Sequence, residues 1–281
     1  MSAPVTALVV TYHTGPRLKE CVYALLSDPG IDHTIIVNNG NPVDYMNWLK
    51  DLQKKHSNFS VLGGHGNIGF GAGINLAANK VETGDLLIIN PDAVLRRGSV
   101  APLQSVGRSM TTPWIVGGRI YNIHGQEERG ARRRELTLWR AITSFFGWNT
   151  WTLENTVAPE TPIPIPVISG AFFLTSKESF NLLGGFDEGY FLHVEDVDLC
   201  RRCRQLGGSV IYDPRAGSLH YGSTSQASPY LVARHKVKSL DRYFRKFGAG
   251  TPHWIAISMA MPLMYGALWL RDVLIRPGHQ A

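Results

Sequence analysis

The chain has 281 residues, 44% apolar and 18% charged, with 29 Gly and 16 Pro, a globular composition that excludes a disordered regulator. Its three cysteines exclude a disulfide-stapled secreted module and fit a reducing compartment. A formal net charge of +6 favours partners that carry phosphate or anionic lipid, without choosing between them.

In chain order, Thr6–His13 is an apolar strand, after which Leu18, Val22, Leu25 and Leu26 recur on one helical face. His33–Gly40 is a second strand, Tyr45–His56 a helix turning Trp48, Leu49 and Leu52 inward, and Phe59–Gly64 a third strand. Ala72–Val81 reads as a helix, and Asp85–Leu95 as a fourth strand running into an acidic turn. Strands alternating with helices predict a mostly parallel sheet with right-handed crossovers. Unbroken apolar runs such as Leu86–Ile89 suit a sheet covered on both faces. Ligands of such sheets bind beyond the carboxyl ends of the strands. That selects the loops Tyr12–Pro16, Asn38–Asn41, Gly63–Gly71 and Asn90–Asp92.

Beyond Pro113 come a sheet-like stretch, a basic loop (Glu127–Arg134, with Arg129 and Arg132–Arg134) and a helix over Leu136–Phe146. Val157–Val167 holds four prolines and is an extended connection. Val167–Thr175 is a strand, Gly184-Gly185 a turn, Glu195–Gly207 a helix with an acidic start and a glycine stop, and Ser209–Pro214 a strand. The remainder is helical, first basic and then apolar. Trp254–Leu270 is 17 residues without a charge, shorter than the roughly 20 that a bilayer span needs and interrupted by Pro262. It is expected to form an interfacial or packed helix pair, resting on an anionic membrane surface or serving a homo-oligomer. Met1–Pro4 carries no basic leader segment, so no secretory signal is expected.

Asp92 ends an apolar strand inside Asn90-Pro91-Asp92, where a carboxylate can hold a divalent cation beside a phosphate or merely cap a turn. Asp187, Glu188, Glu195, Asp196 and Asp198 pack five carboxylates into twelve residues. At a helix start, one of these can act as a general base on a hydroxyl, or simply complement the macrodipole. His220 can complete a metal site or be a hydrogen-bonded loop histidine. The glycines of Gly63–Asn75 lack the G-x-G-x-x-G spacing of a dinucleotide fingerprint and fit a loop that lets backbone approach a nucleotide. Cys200 and Cys203 lie within a helix and lack a second pair, against zinc or redox use. No basic–aromatic interleaving points to nucleic acid.

Taken together, these pieces resemble an inverting family 2 glycosyltransferase of the GT-A fold, most nearly its bacterial rhamnosyltransferase-like members that act on lipid-linked acceptors. The resemblance rests on Ala7–His13, Ile35–Gly40, Gly66–Asn75, Leu86–Leu95, Ile168–Thr175, Gly184–Arg202 and His220–Ser225, in the family's order. It implies a mostly parallel nucleotide-binding sheet flanked by helices, with a smaller acceptor-side sheet and a helical C-terminus. Residues 1–225 would form the transferase domain (1–112 for the nucleotide-sugar, 113–225 for acceptor and catalysis), and 226–281 a helical extension that touches membrane.

The resemblance also implies roles. Thr11, Tyr12, His13, Asn38, Asn39, Asn67, Gly69, Asn75, Asn90, Asp92 and Gly170 would line a dTDP- or UDP-sugar, with rhamnose the first choice of sugar. Asp92 and His220 would bind Mg²⁺ or Mn²⁺. Asp196 would be the base, supported by Glu195, and Arg132, Arg133 and Ser223 would touch the acceptor or a diphosphate. The acceptor implied is a cell-envelope polysaccharide or a lipid-linked glycan at the cytoplasmic face of the membrane. Asn38 departs from the Asp that members usually carry there, and Asn90-Pro91-Asp92 from a full Asp-x-Asp. Two rival readings are a degenerate nucleotide-sugar-binding protein and a sugar-1-phosphate nucleotidyltransferase. The latter needs a basic residue right after the first strand, where Tyr12-His13-Thr14-Gly15 has no Lys or Arg.

Overall fold

The computed structural model describes residues 3–128, 130–145, 148, 150–153, 156–222, 229–248 and 251–275. Ser223 and Arg129, singled out from the sequence, lie outside them. The first strands alternate with helices as expected: β1 (Val5–Thr11), α1 (Arg17–Ser27), β2 (His33–Asn38), α2 (Val43–Lys55), β3 (Phe59–Leu62), α3 (Phe70–Ala78) and β4 (Asp85–Ile89). Strands β3, β2, β1 and β4 lie side by side, all parallel. The period-two alternation of β1 explains why it has no polar face. Val5, Ala7 and Val9 pack with Leu18, Val22 and Leu25 of α1, while Leu8 and Val10 pack with Ile74 and Ala77 of α3 on the other side.

The expected fourth strand is two strands. Pro91 has no N–H to donate to a ladder, and the chain leaves β4 through Asn90-Pro91-Asp92. It resumes as β5 (Ala93–Leu95), which pairs with a different strand at the far edge of the sheet. A helix that periodicity did not reveal, α4 (Val100–Arg108), buries Val100, Leu103 and Val106. Then come β6 (Trp114–Tyr121), β7 (Arg132–Arg133), α5 (Leu138–Phe145), β8 (Ile163–Pro164), β9 (Val167–Ile168), β10 (Phe172–Ser176) and α6 (Lys177–Leu182). Val167–Thr175, expected as one strand, divides at Gly170. β9 pairs with β7 in a separate two-stranded sheet, and β10 enters the main sheet antiparallel between β4 and β6.

Helix α7 (Glu195–Gln205) and strand β11 (Ser209–His220) follow. β11 does not stop at Pro214. A register shift between Asp213 and Gly217 absorbs the proline, as a bulge does, and carries the strand on to His220 beside Ala93 of β5. α8 (Pro229–Phe247) and α9 (Thr251–Ile275) complete the chain. The expected helix pair at the apolar C-terminus is a single helix with Pro262 inside it. An internal proline costs about 3 kcal/mol, which burial of Ile257, Met261 and Met264 can offset. These residues share one core with Val237, Leu240 and Tyr243 of α8 and with Leu8 of β1. Among the described residues, no helix is long and apolar enough to cross a membrane.

Candidate active site

The parallel strands present their carboxyl ends to a common edge, where Thr11 ends β1, Asn38 ends β2 and Asn90 follows β4. Thr11, the last residue of β1, is buried; its hydroxyl lies 3.0 Å from that of Thr14 and donates to Asn41 Oδ1 at 3.3 Å. Tyr12 is exposed beside His13, which adopts a left-handed φ of 47°. At the end of β2, Asn38 Oδ1 accepts the backbone N–H of Asn41 at 2.9 Å and its side-chain amide at 2.6 Å. Asn thus closes an Asx-type turn in which an Asp oxygen could accept the same bonds.

Asn39 ties this loop to the glycine loop, donating to Asn67 Oδ1 at 3.2 Å and to the Gly69 carbonyl at 3.0 Å. Its own Oδ1 is buried and has no hydrogen-bond partner among the described residues. Gly69 must be glycine: its φ is +88°, and a Cβ there would lie 2.6 Å from the Phe191 carbonyl oxygen. Asn75, within α3, is turned toward the segment before α7. It donates to the carbonyl of Phe186 and to Glu188 Oε1, each at 2.9 Å, and accepts the Phe186 N–H, so it fastens the segment before α7.

Asp92 and His220 are brought together by the pairing of β5 with β11. His220 Nε2 lies 3.2 Å from Asp92 Oδ1 and 3.2 Å from Asn90 Nδ2, and Nδ1 lies 2.7 Å from Glu128 Oε2. Burial alone would push the imidazole pKa down, but Asp92 and Glu128 outweigh it and raise it to about 9. The donor set suits a hard or borderline divalent ion: a carboxylate and an imidazole converge, with a second carboxylate on the outer ring nitrogen orienting the ligand. Such an ion would take the place of the ring proton. No group of three or more His, Cys, Asp or Glu poised around one point occurs among the described residues, so phosphate oxygens or water would fill the remaining positions.

Asp196, in the first turn of α7, faces the same edge. Its Oδ2 accepts the Gly170 N–H at 2.7 Å and pairs with Arg133, while Oδ1 accepts the Val197 N–H at 2.8 Å. Gly170 leads into Ala171, whose carbonyl accepts the Asn90 N–H at 3.0 Å. Backbone therefore links the Asp196 carboxylate to the Asp92 turn. A side chain at Gly170 would press on Asp196, its Cβ 3.1 Å from that of the aspartate. Before α7, His193 and Val194 both hold left-handed φ values, 67° and 73°. Such a conformation costs non-glycine residues about 1–3 kcal/mol each, and it is kept where the surroundings over-determine it.

Glu195 points inward instead. It is buried, its Oε2 lacks a hydrogen-bond partner among the described residues, and burial with the nearby Asp196 charge pushes its carboxyl pKa well above the usual range. A buried acid of this kind binds its proton more tightly folded than unfolded, so wild-type stability falls as pH rises through neutrality. Glu195→Gln removes that proton from the balance. Its melting temperature is expected to exceed that of wild type at pH 8 and to match it near pH 4, with a gain on the order of 1 kcal/mol. Thermal unfolding across that range checks it, and equal pH dependence in both proteins would place the proton elsewhere.

The two predicted arginines part company. Arg133 reaches Asp196, whereas Arg132 turns inward and is buried. Arg132 meets Glu127 Oε2 at 2.6 Å and donates to the Leu153 carbonyl at 3.2 Å, so its guanidinium is committed within the protein rather than offered to a diphosphate. The sequence did not flag Glu128, Phe191 or the His193-Val194 strain. Glu128 lies 92 residues from its partner His220, in a loop whose arginines masked it.

The mostly parallel sheet flanked by helices, with its separate two-stranded sheet, is a fold of the GT-A class. The chain belongs to glycosyl transferase family 2, whose sequence profile matches residues 6–184. It is 26% identical over 257 residues to the N-acetylglucosaminyl-diphospho-decaprenol L-rhamnosyltransferase of Mycobacterium tuberculosis, covering 84% of this chain and 83% of that one. It is 25% identical over 255 residues to the rhamnosyltransferase WbbL of Escherichia coli, covering 85% and 92%. Among solved structures, GalNAc-T7 with UDP, GalNAc and Mn²⁺ superposes with a TM-score of 0.64 at 14% identity. That match covers 87% of this chain but only about half, 48%, of GalNAc-T7, and it shows a shared fold. The protein is a glycosyltransferase.

Proposed function

We propose that the protein moves a sugar, rhamnose from dTDP-rhamnose by first choice, onto a hydroxyl of a lipid-linked glycan precursor, with inversion. The observation that carries this reading is the Asp196 carboxylate, fixed by Gly170 N–H and joined through Ala171 and Asn90 to the Asp92–His220 pair. A base and a leaving-group site then share one edge. The names of the relatives support rhamnose and a diphospho-lipid acceptor.

Asp196 takes the proton of the acceptor hydroxyl as that oxygen bonds to the anomeric carbon. The bond from that carbon to the nucleoside diphosphate breaks on the opposite face, and its electron pair leaves with the diphosphate. Asp92 and His220 would hold a divalent cation, which would neutralise charge on the diphosphate. Thr11, Tyr12, His13 and the Asn38–Asn41 turn would receive the nucleotide, and Asn67 and Gly69 its sugar side. Residues 1–225 form the transferase proper in this reading, with 226–281 an extension whose described helices, α8 and α9, pack upon it.

α9 exposes Ile255, Met259 and Leu263 on one side, a face suited to the membrane surface that carries such an acceptor. The test supplies dTDP-rhamnose, UDP-sugars and GDP-sugars with Mg²⁺ or Mn²⁺ to the protein, using a prenyl-diphospho-N-acetylglucosamine acceptor in anionic liposomes or in detergent. Transfer from dTDP-rhamnose alone is expected. Replacing Ile255, Met259 and Leu263 by Glu should reduce transfer on liposomes and spare it in detergent. Turnover of another nucleotide-sugar overturns the donor assignment, and equal loss in detergent overturns the membrane face.

A further inference from the structure

Three donors already hold the Asp196 carboxylate, and the charged one, the Arg133 guanidinium, neutralises it. Its Oδ2 already takes the Gly170 N–H and the Arg133 guanidinium, and its Oδ1 takes the Val197 N–H. Two of these donors are backbone groups of a folded segment and a helix, and cannot withdraw. The third is a side chain. Arg133 stands on the short strand β7, donates also to the Ile168 carbonyl at 3.0 Å, and lies over the Trp151 ring at 5.1 Å. Its Nε is buried with no hydrogen-bond partner among the described residues. The guanidinium fork is thus incompletely used by the protein, and a diphosphate, which can pair with the fork through two oxygens and carries greater charge than a carboxylate, competes well for it.

Resting on the reading of Asp196 as the base, we propose that Arg133 masks that carboxylate until a diphosphate on the acceptor draws the guanidinium away. In-line displacement fixes which diphosphate does so. The nucleophile enters opposite the leaving group, so the base lies on the acceptor side of the sugar and the donor's diphosphate on the other. Arg133 is therefore a positioning residue that couples acceptor recognition to proton removal. Unmasking does not occur without acceptor, so water is held back from the donor. In the reaction suppressed, a water O–H would give its proton to Asp196, its oxygen would bond to the anomeric carbon, and the nucleoside diphosphate would leave with the electron pair.

The test measures hydrolysis of dTDP-rhamnose by the full-length protein with geranyl diphosphate, geranyl monophosphate or geraniol, none of which offers a sugar hydroxyl. Geranyl diphosphate is expected to speed hydrolysis at least about tenfold, a part of the 10²–10⁴ that a positioned base supplies, with little effect from the other two. Arg133→Met should hydrolyse donor at the raised rate without any lipid and lose the response to diphosphate, while Arg133→Lys retains part of it. A wild-type rate indifferent to geranyl diphosphate overturns the proposal without need of a variant. So does an Arg133→Met protein that hydrolyses no faster than wild type yet still binds donor. An arginine that merely supports the fold would lower transfer and hydrolysis together. If Asp196→Asn keeps both reactions, it is the base assignment that fails; if it is inactive and the diphosphate response is absent, only the mask fails.

Discussion

Asp196→Asn is expected to lower kcat for sugar transfer by about 10²–10⁴-fold, the range a positioned general base contributes. Donor affinity should stay close to that of wild type. The substitution keeps size and shape, and one carbonyl oxygen remains to accept the Gly170 N–H that now reaches Oδ2 at 2.7 Å. An amide cannot take a proton from an acceptor hydroxyl, and that difference is what the experiment isolates. Asp196 is only slightly exposed, with about one-eighth of its side chain (13%) reaching solvent, so no bulk water stands in for the lost base. Donor binding by calorimetry and single-turnover transfer with lipid acceptor, measured side by side, separate the two effects. Transfer within threefold of wild type would move the base elsewhere on this edge. A matching loss of donor binding would mean that the residue shapes the donor pocket.

The parallel half of the fold is legible because its strands are apolar on both faces and its helices on one, which gives two distinct periods in the sequence. Asp85–Leu95 misleads because an apolar run shows no end when its breaking residue, Pro91, is followed by more strand-like sequence. β11 misleads in the opposite sense: Pro214 looks like a stop, and only the bulge before Gly217 lets the strand continue. α4 carries a glycine, a proline and three polar residues within nine positions, too weak a pattern to announce itself.

The candidate site stands out in the sequence where one residue type is conspicuous, as with Asp92, Asp196 and His220, of which Asp92 and His220 lie 3.2 Å apart in the fold. It is illegible where the outcome depends on pairing. Arg132 and Arg133 are neighbours with opposite fates because successive residues of a strand face opposite sides. That these two positions form a strand follows from distant residues lying beside them, Val167–Ile168 on one side and Thr152 bridging Arg133. Glu128 is a harder case, since nothing local tells a loop carboxylate that its histidine partner will arrive on the last strand of the sheet.

Asp92→Asn is expected to abolish the part of donor binding that depends on a divalent cation. A donor at about 100 times its dissociation constant adds about 2.7 kcal/mol to the folded state, readily seen as a rise in melting temperature. Wild type should show that rise with its donor only when Mg²⁺ or Mn²⁺ is present. The variant keeps a side chain of the same shape beside His220 but loses the negative charge that attracts the ion. The Tyr221 N–H to Asp92 carbonyl bond, 3.1 Å, is made by backbone and survives the change. His220→Gln should act similarly. Glu128→Gln should weaken the ion about 10–100-fold, as expected of a carboxylate that orients a ligand from behind. The graded order Asp92 and His220 above Glu128 is the signature of ligands backed by an orienting partner. An Asp92→Asn protein with an undiminished metal-dependent shift would put the ion elsewhere. A wild-type shift that ignores metal would leave the protonated His220, with its pKa raised to about 9, as the cation facing the diphosphate.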